Sequence, residues 1–561
     1  MKCKGDRKED CAAIEECDLG NMLKRKNSLF VVFCVLFCTV LCTAGEKKLI
    51  AHSWDLLWVT PQQICDNIEA LEALPLDGIA IRCYARKDDG ELLNFTSAMD
   101  SEPWRKEWLE YMLPSLKRIC GGRLTDNFLT TFWNPKKRIP WDDDVRWEAV
   151  ARNFGLAAWL AKECGARGLL MDSEDYPKTQ QYFFQPALDG DSYHAAAALA
   201  RKRGAQLMAA IGREYPDGVI LSFWLFTMNP ELYMSGVSSN SVEESGNLWI
   251  PFLNGMLDAI PSDFTLVDAT ENGYYFHAEK MEFLQAGYGL TRHAVKLVSP
   301  ENRTKFFSQV KVGFGFYMDM YTNDEFTNGK QNIYYMPPKD GSRLKALAAN
   351  LTQGMECADE YCWLYGEKFN WIAWDYKGQK GKVDPTWEEK LPNVYRVLQR
   401  LREPRKTLQE DFRRASANGA LVDIMPAESS ADWGFWSRKM DVGSRVVKDG
   451  CMNFTGVSAA CAVLDVPHLK GSCVYAVQAW AKGQGKLGIR VRWKKDGEWV
   501  FQEKDVLVNF GAADAEGWRM ALEFVTVPEG ANMMSILLYA DQTAEESCVF
   551  RRPQVFDMDL P

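Results

Sequence analysis

Short apolar runs and longer amphipathic stretches alternate along the chain from about residue 49 to about residue 402. The short runs are rich in β-branched and aromatic residues, which is typical of strands that are buried on both faces. The stretches between them repeat apolar residues at helical spacing. The pattern predicts eight strands, at residues 49–54, 78–84, 127–134, 168–174, 218–226, 264–271, 311–319 and 370–376.

Capping signals mark several helix boundaries between these strands. Thr60 and Gln63 form a capping-box pair around Pro61, which suits a first helical turn. Two amphipathic runs, at residues 150–164 and 195–211, each end at a glycine, which is the residue that most readily caps a helix C-terminus. We therefore expect helices between successive strands.

Eight strand-then-helix units predict an α/β fold, a (β/α)8 TIM-type barrel with enlarged loops. A doubly wound open sheet is the alternative arrangement for the same alternation. The chain contains neither a Gly-x-Gly-x-x-Gly fingerprint after its first strand nor a phosphate loop. We therefore expect no nucleotide cofactor, and no other cofactor is indicated.

The pattern changes after residue 402. A polar segment, residues 406–430, is predicted to be a last helix or a linker that closes a barrel domain at residues 46–405. From residue 431 to residue 561, short strands of alternating polarity with Gly and Asp turns predict a β-sandwich of the jelly-roll kind. Its clearest strands are predicted at residues 474–481, 486–493, 521–527 and 534–540.

The first 45 residues have the features of a leader with a signal peptide. A basic segment at residues 24–26 precedes an apolar run at residues 29–42, and small residues end at Ala44. The apolar run is shorter than a bilayer span, so we expect no stable membrane span after cleavage, although a signal-anchor is the alternative. Met22 lies directly before this pattern and is a candidate for the true start. These features predict a secreted, periplasmic or cell-surface protein.

Charge and composition exclude some functions and favour others. The 66 Lys and Arg residues against 76 Asp and Glu residues give a net charge of −10, which disfavours nucleic acid as a partner. Only five His residues occur, and they are scattered, so we expect no metal site. The 20 Trp and 20 Tyr residues are compatible with a carbohydrate partner, because sugar rings stack on aromatic faces.

The fourth predicted strand ends in the most informative residues of the chain. The apolar run of residues 168–171 is followed by Asp172, Glu174 and Tyr176. Asp172 and Glu174 are two positions apart, so both side chains project from one side of a strand. Two carboxylates held close together have their pKa values pushed apart, as acid/base chemistry requires. Solvated acids at a strand end are the structural alternative.

Acidic and aromatic residues also end the other predicted strands. Because a barrel forms its active site at the carboxyl ends of its strands, these residues are expected to converge at one mouth. The candidate catalytic residues are Glu174, Asp172 and Glu271. The candidate substrate-binding residues are Trp54, Arg82, Tyr84, Trp133, Asn134, Tyr176, Trp224, Asp268, Tyr274, Tyr317, Asp319, Trp374 and Asp375.

Glycosidic cleavage needs a protonated acid and a second group that acts as nucleophile, base or stabiliser. Two pairings fit the candidates. In one, Glu174 is the acid and Asp172 supports it from the same strand. In the other, Asp172 or Glu174 faces Glu271 across the mouth. For Glu271 the structural alternative is a turn built around Asn272 and the following glycine.

The segment GLLMDSEDYP at residues 168–177 resembles the fourth-strand signature of glycoside hydrolase family 18, the chitinase and endo-N-acetylglucosaminidase group. The resemblance implies that Glu174 is the general acid, that Asp172 orients a substrate acetamide, and that Trp374 lies under the sugar. The chain departs from the signature at Leu170, where the family usually has Asp. Acids on strands four and six are instead similar to α-galactosidase-like barrels.

The C-terminal part resembles jelly-roll carbohydrate-binding modules of polysaccharidases, on a strand at residues 473–482, the pair Gly517-Trp518 and the turn at residues 527–531. A sandwich that only braces the barrel is the alternative. Trp433, Trp436 and Trp480 are candidates for either a binding face or the core.

These features together predict a secreted glycoside hydrolase that cleaves a poly- or oligosaccharide by carboxylate acid/base catalysis. The alternatives are a non-catalytic carbohydrate-binding protein with a degenerate barrel and a polysaccharide lyase. The expected partner in each case is a carbohydrate.

Overall fold

A computed structural model of the chain describes residues 47–558, except for 101, 177, 234–239, 375–384, 427–432 and 472. Its contacts form two compact units that divide the chain between Val394 and Tyr395. The leader expected at residues 1–45 lies outside the described residues. The segment expected as a linker at residues 406–430 contains much of a helix, Pro404–Ala417, which belongs to the second unit.

The first unit contains a closed barrel in which eight parallel strands pair in the order β1-β8-β7-β6-β5-β4-β3-β2. The predicted TIM-type barrel is confirmed, and the open doubly wound sheet is not formed. The strands are β1 Lys48–Ser53, β2 Gly78–Ile81, β3 Phe128–Phe132, β4 Gly168–Asp172, β5 Val219–Ser222, β6 Thr265–Thr270, β7 Val310–Tyr317 and β8 Tyr361–Gly366.

Helices occupy most of the connections between these strands, and the Thr60 capping box forms as predicted. Those of the described chain are α1 Trp54–Leu57, α2 Pro61–Asp66, α3 Ile68–Glu72, α4 Glu107–Glu110, α5 Leu113–Cys120, α6 Asp144–Cys164, α7 Pro186–Asp189, α8 Tyr193–Glu214, α9 Ser241–Glu244, α10 Trp249–Ala259, α11 Glu282–Tyr288, α12 Arg303–Gln309, α13 Arg343–Cys357, α14 Trp387–Lys390, α15 Val394–Arg402 and α16 Pro404–Ala417. None of them is both long enough and apolar enough to cross a bilayer.

The eighth strand lies earlier in the chain than predicted. The strand that closes the barrel is β8, Tyr361–Gly366, which pairs with both β1 and β7. The predicted stretch at residues 370–376 is not a strand where it is described. Its tryptophans instead pack beside Asp55, whose buried carboxylate accepts hydrogen bonds from the Trp371 backbone N–H and from Trp374 Nε1. Both segments are apolar and aromatic, so composition alone does not distinguish them.

The barrel helices α8 and α10 approach each other closely through paired glycines. A Cβ added at Gly204 would lie 1.9 Å from the Phe252 carbonyl oxygen, and a Cβ added at Gly255 would lie 1.9 Å from that of Arg201. Neither obstacle is a side chain that could rotate away. The two helices are therefore fixed at a separation that only glycine permits.

The second unit is a two-sheet sandwich preceded by α15 and α16, which confirms the predicted fold class. Sheet I pairs β9-β12-β18-β14-β15 with β16 also on β14, and sheet II pairs β10-β11-β19-β13-β17 with β20 also on β13. The strands are β9 Gly434–Ser437, β10 Ser444–Lys448, β11 Cys451–Thr455, β12 Ala460–Val466, β13 Val474–Gly483, β14 Lys486–Lys495, β15 Glu498–Val500, β16 Val506–Val508, β17 Trp518–Thr526, β18 Met533–Asp541, β19 Ser547–Phe550 and β20 Gln554–Asp557.

Helix α16 is part of this second unit and not a free connection. Its Leu408 and Phe412 pack against Ala476, Phe556 and Met558 of the sandwich. A second, larger cluster of apolar side chains fills the space between sheets I and II. The segment that was predicted to be a linker is thus largely a helix, which is polar overall but buries one apolar face against the sandwich.

The glycine contact between α8 and α10 predicts a large effect of a small substitution. We expect Gly204→Ala to lower the free energy of unfolding by about 1–3 kcal/mol, because the added methyl group forces two helix backbones apart. Urea unfolding followed by circular dichroism measures the change. Gly287→Ala in α11 is the matched control, since its Cβ would meet neighbouring atoms only at 3.6 Å or beyond. Equal effects of the two substitutions would contradict this account of the packing.

Candidate active site

Four carboxylates meet at the carboxyl-terminal rim of the barrel. Asp172 is the last residue of β4 and Glu174 lies two residues later, while Glu271 follows β6 and Glu367 follows β8. The negative charges of Glu174, Asp172 and Glu367 all act on Glu271. The structure therefore brings together acids from three non-adjacent strands, as the barrel topology allows.

Burial raises the pKa values of Asp172, Glu174 and Glu271, and neighbouring negative charges add to the effect at Asp172 and Glu271. Burial raises the pKa of Glu174 to about 7. The pKa of Glu271 rises further, to about 9, because burial is reinforced by the neighbouring carboxylates. Burial also raises the pKa of Asp172 well above its usual range. The two glutamates thus differ in the pH at which they lose their protons, which is the separation that acid/base catalysis uses.

Local hydrogen bonds hold Glu174 in place. Its backbone N–H donates to Asp172 Oδ1 at 3.0 Å, so the buried aspartate fixes the turn on which Glu174 stands. The hydroxyl of Tyr176 donates to Glu174 Oε2. Asp172 is almost fully buried, whereas Glu174 is half-buried and Tyr176 is exposed. Asp172 is consequently a positioning residue, and Glu174 faces the open side of the site.

Glu367 is held by a second network on the opposite side of the mouth. Trp54 Nε1 donates to the Tyr365 hydroxyl at 2.8 Å, and that hydroxyl donates to Glu367 Oε1 at 2.8 Å. The Glu367 backbone N–H donates to Asp319 Oδ2 at 2.7 Å. Tyr317 also forms a side-chain hydrogen bond with Glu367. Two phenols and one buried aspartate therefore fix a carboxylate that faces Glu271.

Aromatic rings make up the floor between these carboxylates. The ring of Tyr274 lies 5.3 Å from Tyr317 and 5.5 Å from Trp363, measured between centroids. Tyr365 stacks against His52 at 5.6 Å, and Phe223 stacks on Trp363 at 4.1 Å. This packing keeps water away from the inner side of the site, and burial is the largest cause of the raised pKa values of Asp172, Glu174 and Glu271.

A histidine and an arginine lie at the same end of the barrel. Burial and the charge of Arg82 lower the pKa of His52 to about 3, so its imidazole is neutral at ordinary pH. Within the described residues, His52 Nδ1 and Arg82 Nε are buried without a hydrogen-bond partner. A neutral imidazole does not protonate a leaving group near pH 7, so His52 is not a candidate for the general acid.

A cavity of about 460 Å³ opens beside Glu174. The loops after β3, β4, β5 and β6 form its walls, so it lies on the β4 side of the mouth. Its lining includes predicted residues from three of these loops: Asn134, Glu174, Tyr176 and Trp224. Asn272, which follows Glu271, also lines it. The cavity is therefore a binding space that reaches one of the two candidate catalytic glutamates.

Two predicted substrate-binding residues are buried in the wall of the barrel. Trp133 is fully buried, and its indole packs against Phe154 and Phe252 of the surrounding helices. Asp268 is also fully buried, and its carboxylate accepts hydrogen bonds from the backbone N–H groups of Leu225 and Thr227. Trp133 is a core residue, and Asp268 holds the loop after β5.

Three further predicted residues lie near the mouth without facing it. Asp319 is buried, with its pKa raised to about 6 by burial, and it binds the backbone of Glu367. Tyr84 begins a short hairpin, Tyr84–Arg86 with Leu92–Asn94, after β2 has ended. Trp374 is buried against Asp55, so its predicted position under a sugar on strand eight is wrong. The predicted Asp375 lies outside the described residues.

Glu367 and Tyr365 are the residues that the sequence-based prediction missed. Both depend on the eighth strand, which was assigned nine residues too late. The apolar run Tyr361–Gly366 followed by Glu367 is the signal that could have identified them. Across the described residues, no group of three or more His, Cys, Asp or Glu side chains is arranged to hold a metal ion.

Comparisons with known proteins find only partial likenesses. No family model and no curated protein sequence matches the chain. Among solved structures, the enzymatically active domain of bacteriophage CBA120 tailspike protein 4 matches at 14% identity and a TM-score of 0.20, over 24% of this chain and 21% of that one. A CBM4 structure matches at 17% identity and a TM-score of 0.18, over 24% of this chain and 94% of that one.

A third solved structure contains the CBM22-1 and GH10 modules of Clostridium thermocellum endo-1,4-beta-D-xylanase 10B with xylohexaose. It matches at 15% identity and a TM-score of 0.20, over 24% of this chain and 28% of that one. The chain thus spans only 21% and 28% of the lengths of these two structures. Because these likenesses are so limited, no function is inferred from them, and the functional argument rests on the chemistry of the site.

The raised pKa of Glu271 predicts a pH-dependent cost of stability. Its folded-state pKa of about 9 exceeds its ordinary value of 4.5, so the folded state retains a proton that the unfolded state releases. Stability is therefore lost as the pH rises from about 4.5 to 9. We expect Glu271→Gln to melt at nearly the wild-type temperature at pH 5 and several degrees above it at pH 9.

Thermal unfolding by calorimetry at both pH values tests this expectation. Glu107→Gln, which changes an exposed glutamate, is the matched control and should change neither melting temperature. If Glu271→Gln has the same effect at pH 5 and pH 9, Glu271 ionises as an ordinary solvated acid and the crowded cluster is not formed.

Proposed function

We propose that the protein is a glycoside hydrolase that cleaves glycosidic bonds in a poly- or oligosaccharide. The observation that carries the proposal is the pairing of Glu174 with Glu271 at the barrel rim, two carboxylates with different raised pKa values. Two such groups supply the acid and the nucleophile or base that glycosidic cleavage requires. Aromatic side chains around them suit the faces of sugar rings.

The order of the pKa values assigns the roles. Glu271 keeps its proton to about pH 9 and is therefore the general acid, which protonates the leaving oxygen. Glu174 loses its proton near pH 7 and acts as the nucleophile or general base. Glu367, the third carboxylate near Glu271, raises the pKa of that acid by its charge. The reversed assignment, in which Glu174 is the acid and Asp172 assists it, is the one that a family 18-like mechanism would require.

The residues around the pair would hold the sugar. Tyr176 and Trp54 are exposed aromatic side chains beside the carboxylates. Tyr176 donates a hydrogen bond to Glu174, and Trp54 is linked to Glu367 through the Tyr365 hydroxyl. Trp224 and Asn134 line the cavity next to Glu174. Arg82, whose charge acts on His52, would donate to sugar oxygens.

We further propose that the signal-peptide pattern before residue 46 directs the protein to a secreted, periplasmic or cell-surface location.

The pKa values predict a bell-shaped dependence of kcat/KM on pH. Activity should rise as the pH climbs through about 7, where Glu174 loses its proton, and should fall through about 9, where Glu271 loses its own. Product analysis against a panel of polysaccharides identifies the substrate on which the profile is measured. A profile that only falls as the pH rises through 7 would contradict the assignment and support Glu174 as the acid.

Leaving-group dependence separates the two glutamates. Glu271→Gln should reduce cleavage of the natural glycoside by about 10²–10⁴-fold but should spare most cleavage of a dinitrophenyl glycoside, whose leaving group needs no proton. Glu174→Gln should abolish cleavage of both substrates. Glu107→Gln serves as the control and should leave both rates unchanged. Full activity of Glu174→Gln on either substrate would refute the proposed function.

A further inference from the structure

The outer face of strand β14 carries a row of positive charges. Lys486, Arg490, Arg492 and Lys494 lie at alternate positions and therefore project from the same face of the strand. The intervening residues, which include Val491, point into the core of the sandwich. The strand thus presents a basic stripe on the outer face of sheet I, although the whole chain has a net charge of −10.

Strand register places aromatic side chains beside this stripe. One residue from each of four neighbouring strands lies in a single row across sheet I. In strand order β9, β12, β18 and β14, these are Trp436, Cys461, Tyr539 and Gly488. Three inter-strand spacings separate β9 from β14, so Trp436 and Gly488 lie roughly 14 Å apart along this row. Gly488 has no side chain, which leaves open space beside the Tyr539 ring.

The outer face of sheet I forms a groove of about 730 Å³. Its lining includes Trp436 and Trp499, which are 54% and 41% exposed, together with Tyr539. Arg492 and Lys494 lie against the ring of Trp499, at 4.3 and 4.5 Å from its centre. The groove is therefore bounded by exposed aromatic faces with cations between them.

The positive charges in the groove, and that of Lys494 beside it, are only partly neutralised. Arg492 pairs with Asp505 at 3.1 Å, and Lys494 pairs with Asp465 at 2.8 Å. Lys486 and Arg490 have no ion-pair partner among the residues that the structure describes, and none of the lining residues is a carboxylate. Asp541 lies opposite Lys486 in the strand pairing, so the guanidinium of Arg490 and a lining without carboxylates are what favour a ligand that carries negative charge.

We propose that this groove binds an acidic glycan, a chain of sugars that bear carboxylate or sulfate groups. The aromatic faces of Trp436 and Tyr539 would stack on sugar rings, while Arg490 and Lys486 would bind the acidic substituents. The choice of a glycan over a single-stranded nucleic acid, which also uses aromatic and basic side chains, rests on the function proposed for the barrel. Of the three tryptophans predicted as candidates, Trp436 is the one that lies in this groove.

Calorimetric titration of the full-length chain tests the proposal, with Glu174→Gln introduced to prevent cleavage. The probes are hexagalacturonate, a chondroitin sulfate hexasaccharide, neutral cellohexaose and a thymidine decanucleotide. We expect at least one acidic hexasaccharide to bind, more weakly at about 300 mM than at about 50 mM salt. Arg490→Gln and Trp436→Ala should each weaken that binding by about 10-fold or more.

Lys448→Gln is the matched control, because it removes an exposed cation from sheet II and should leave the affinity unchanged. The proposal is overturned if neither acidic probe binds or if cellohexaose binds equally well. It is also overturned if the oligonucleotide binds more tightly, or if Arg490→Gln and Trp436→Ala leave the affinity unchanged. Cleavage by the wild-type chain is assayed separately. Groove binding without any cleavage would therefore refute the proposed function of the barrel alone.

Discussion

Crowding of carboxylates at one end of a closed barrel is the constraint on which the site depends. Asp172, Glu174, Glu271 and Glu367 come from three strand ends that are far apart in sequence, and they meet only because the sheet closes. Burial favours the protonated forms of Asp172, Glu174 and Glu271, and neighbouring negative charges add to this effect at Asp172 and Glu271. The protein therefore maintains, at neutral pH, protons on acids that would be fully ionised in water.

The rest of the barrel sustains this unfavourable arrangement. Asp172 and Asp319 fix the backbone at Glu174 and Glu367, so the acids cannot relax away from each other by moving their loops. The ring cluster around Tyr274 and Trp363 keeps water from the inner side of the carboxylates. Close packing of α8 on α10 through Gly204 contributes to the rigid helical layer around these strands. Rigidity in the scaffold thus supports strain at the site, a common relation in enzymes.

Much of this architecture could be predicted from the sequence, and the failures have physical causes. The apolar run before Asp172 identified β4 and its two acids, because a strand buried on both faces has a distinctive composition. The eighth strand was misplaced because residues 370–374 and Tyr361–Gly366 are equally apolar and aromatic. The burial of Trp133 and Asp268 was not foreseen, because sequence does not reveal which face of a strand end meets the helices. A meeting of Glu271 with Glu174 or Asp172 across the mouth was one of two pairings expected from the predicted barrel, and sequence spacing alone did not choose between the two.

Titration of the two glutamates themselves tests the central claim most directly. Carbon-13 NMR of protein labelled at the glutamate carboxyl carbons, with Glu174→Gln and Glu271→Gln to assign the signals, measures each pKa. The account predicts a pKa of about 7 for Glu174 and about 9 for Glu271. It also predicts that the pKa of Glu271 falls when Glu174 is neutralised, because the charge that raised it is gone. Values near 4.5 for both groups, unchanged in the variants, would contradict it.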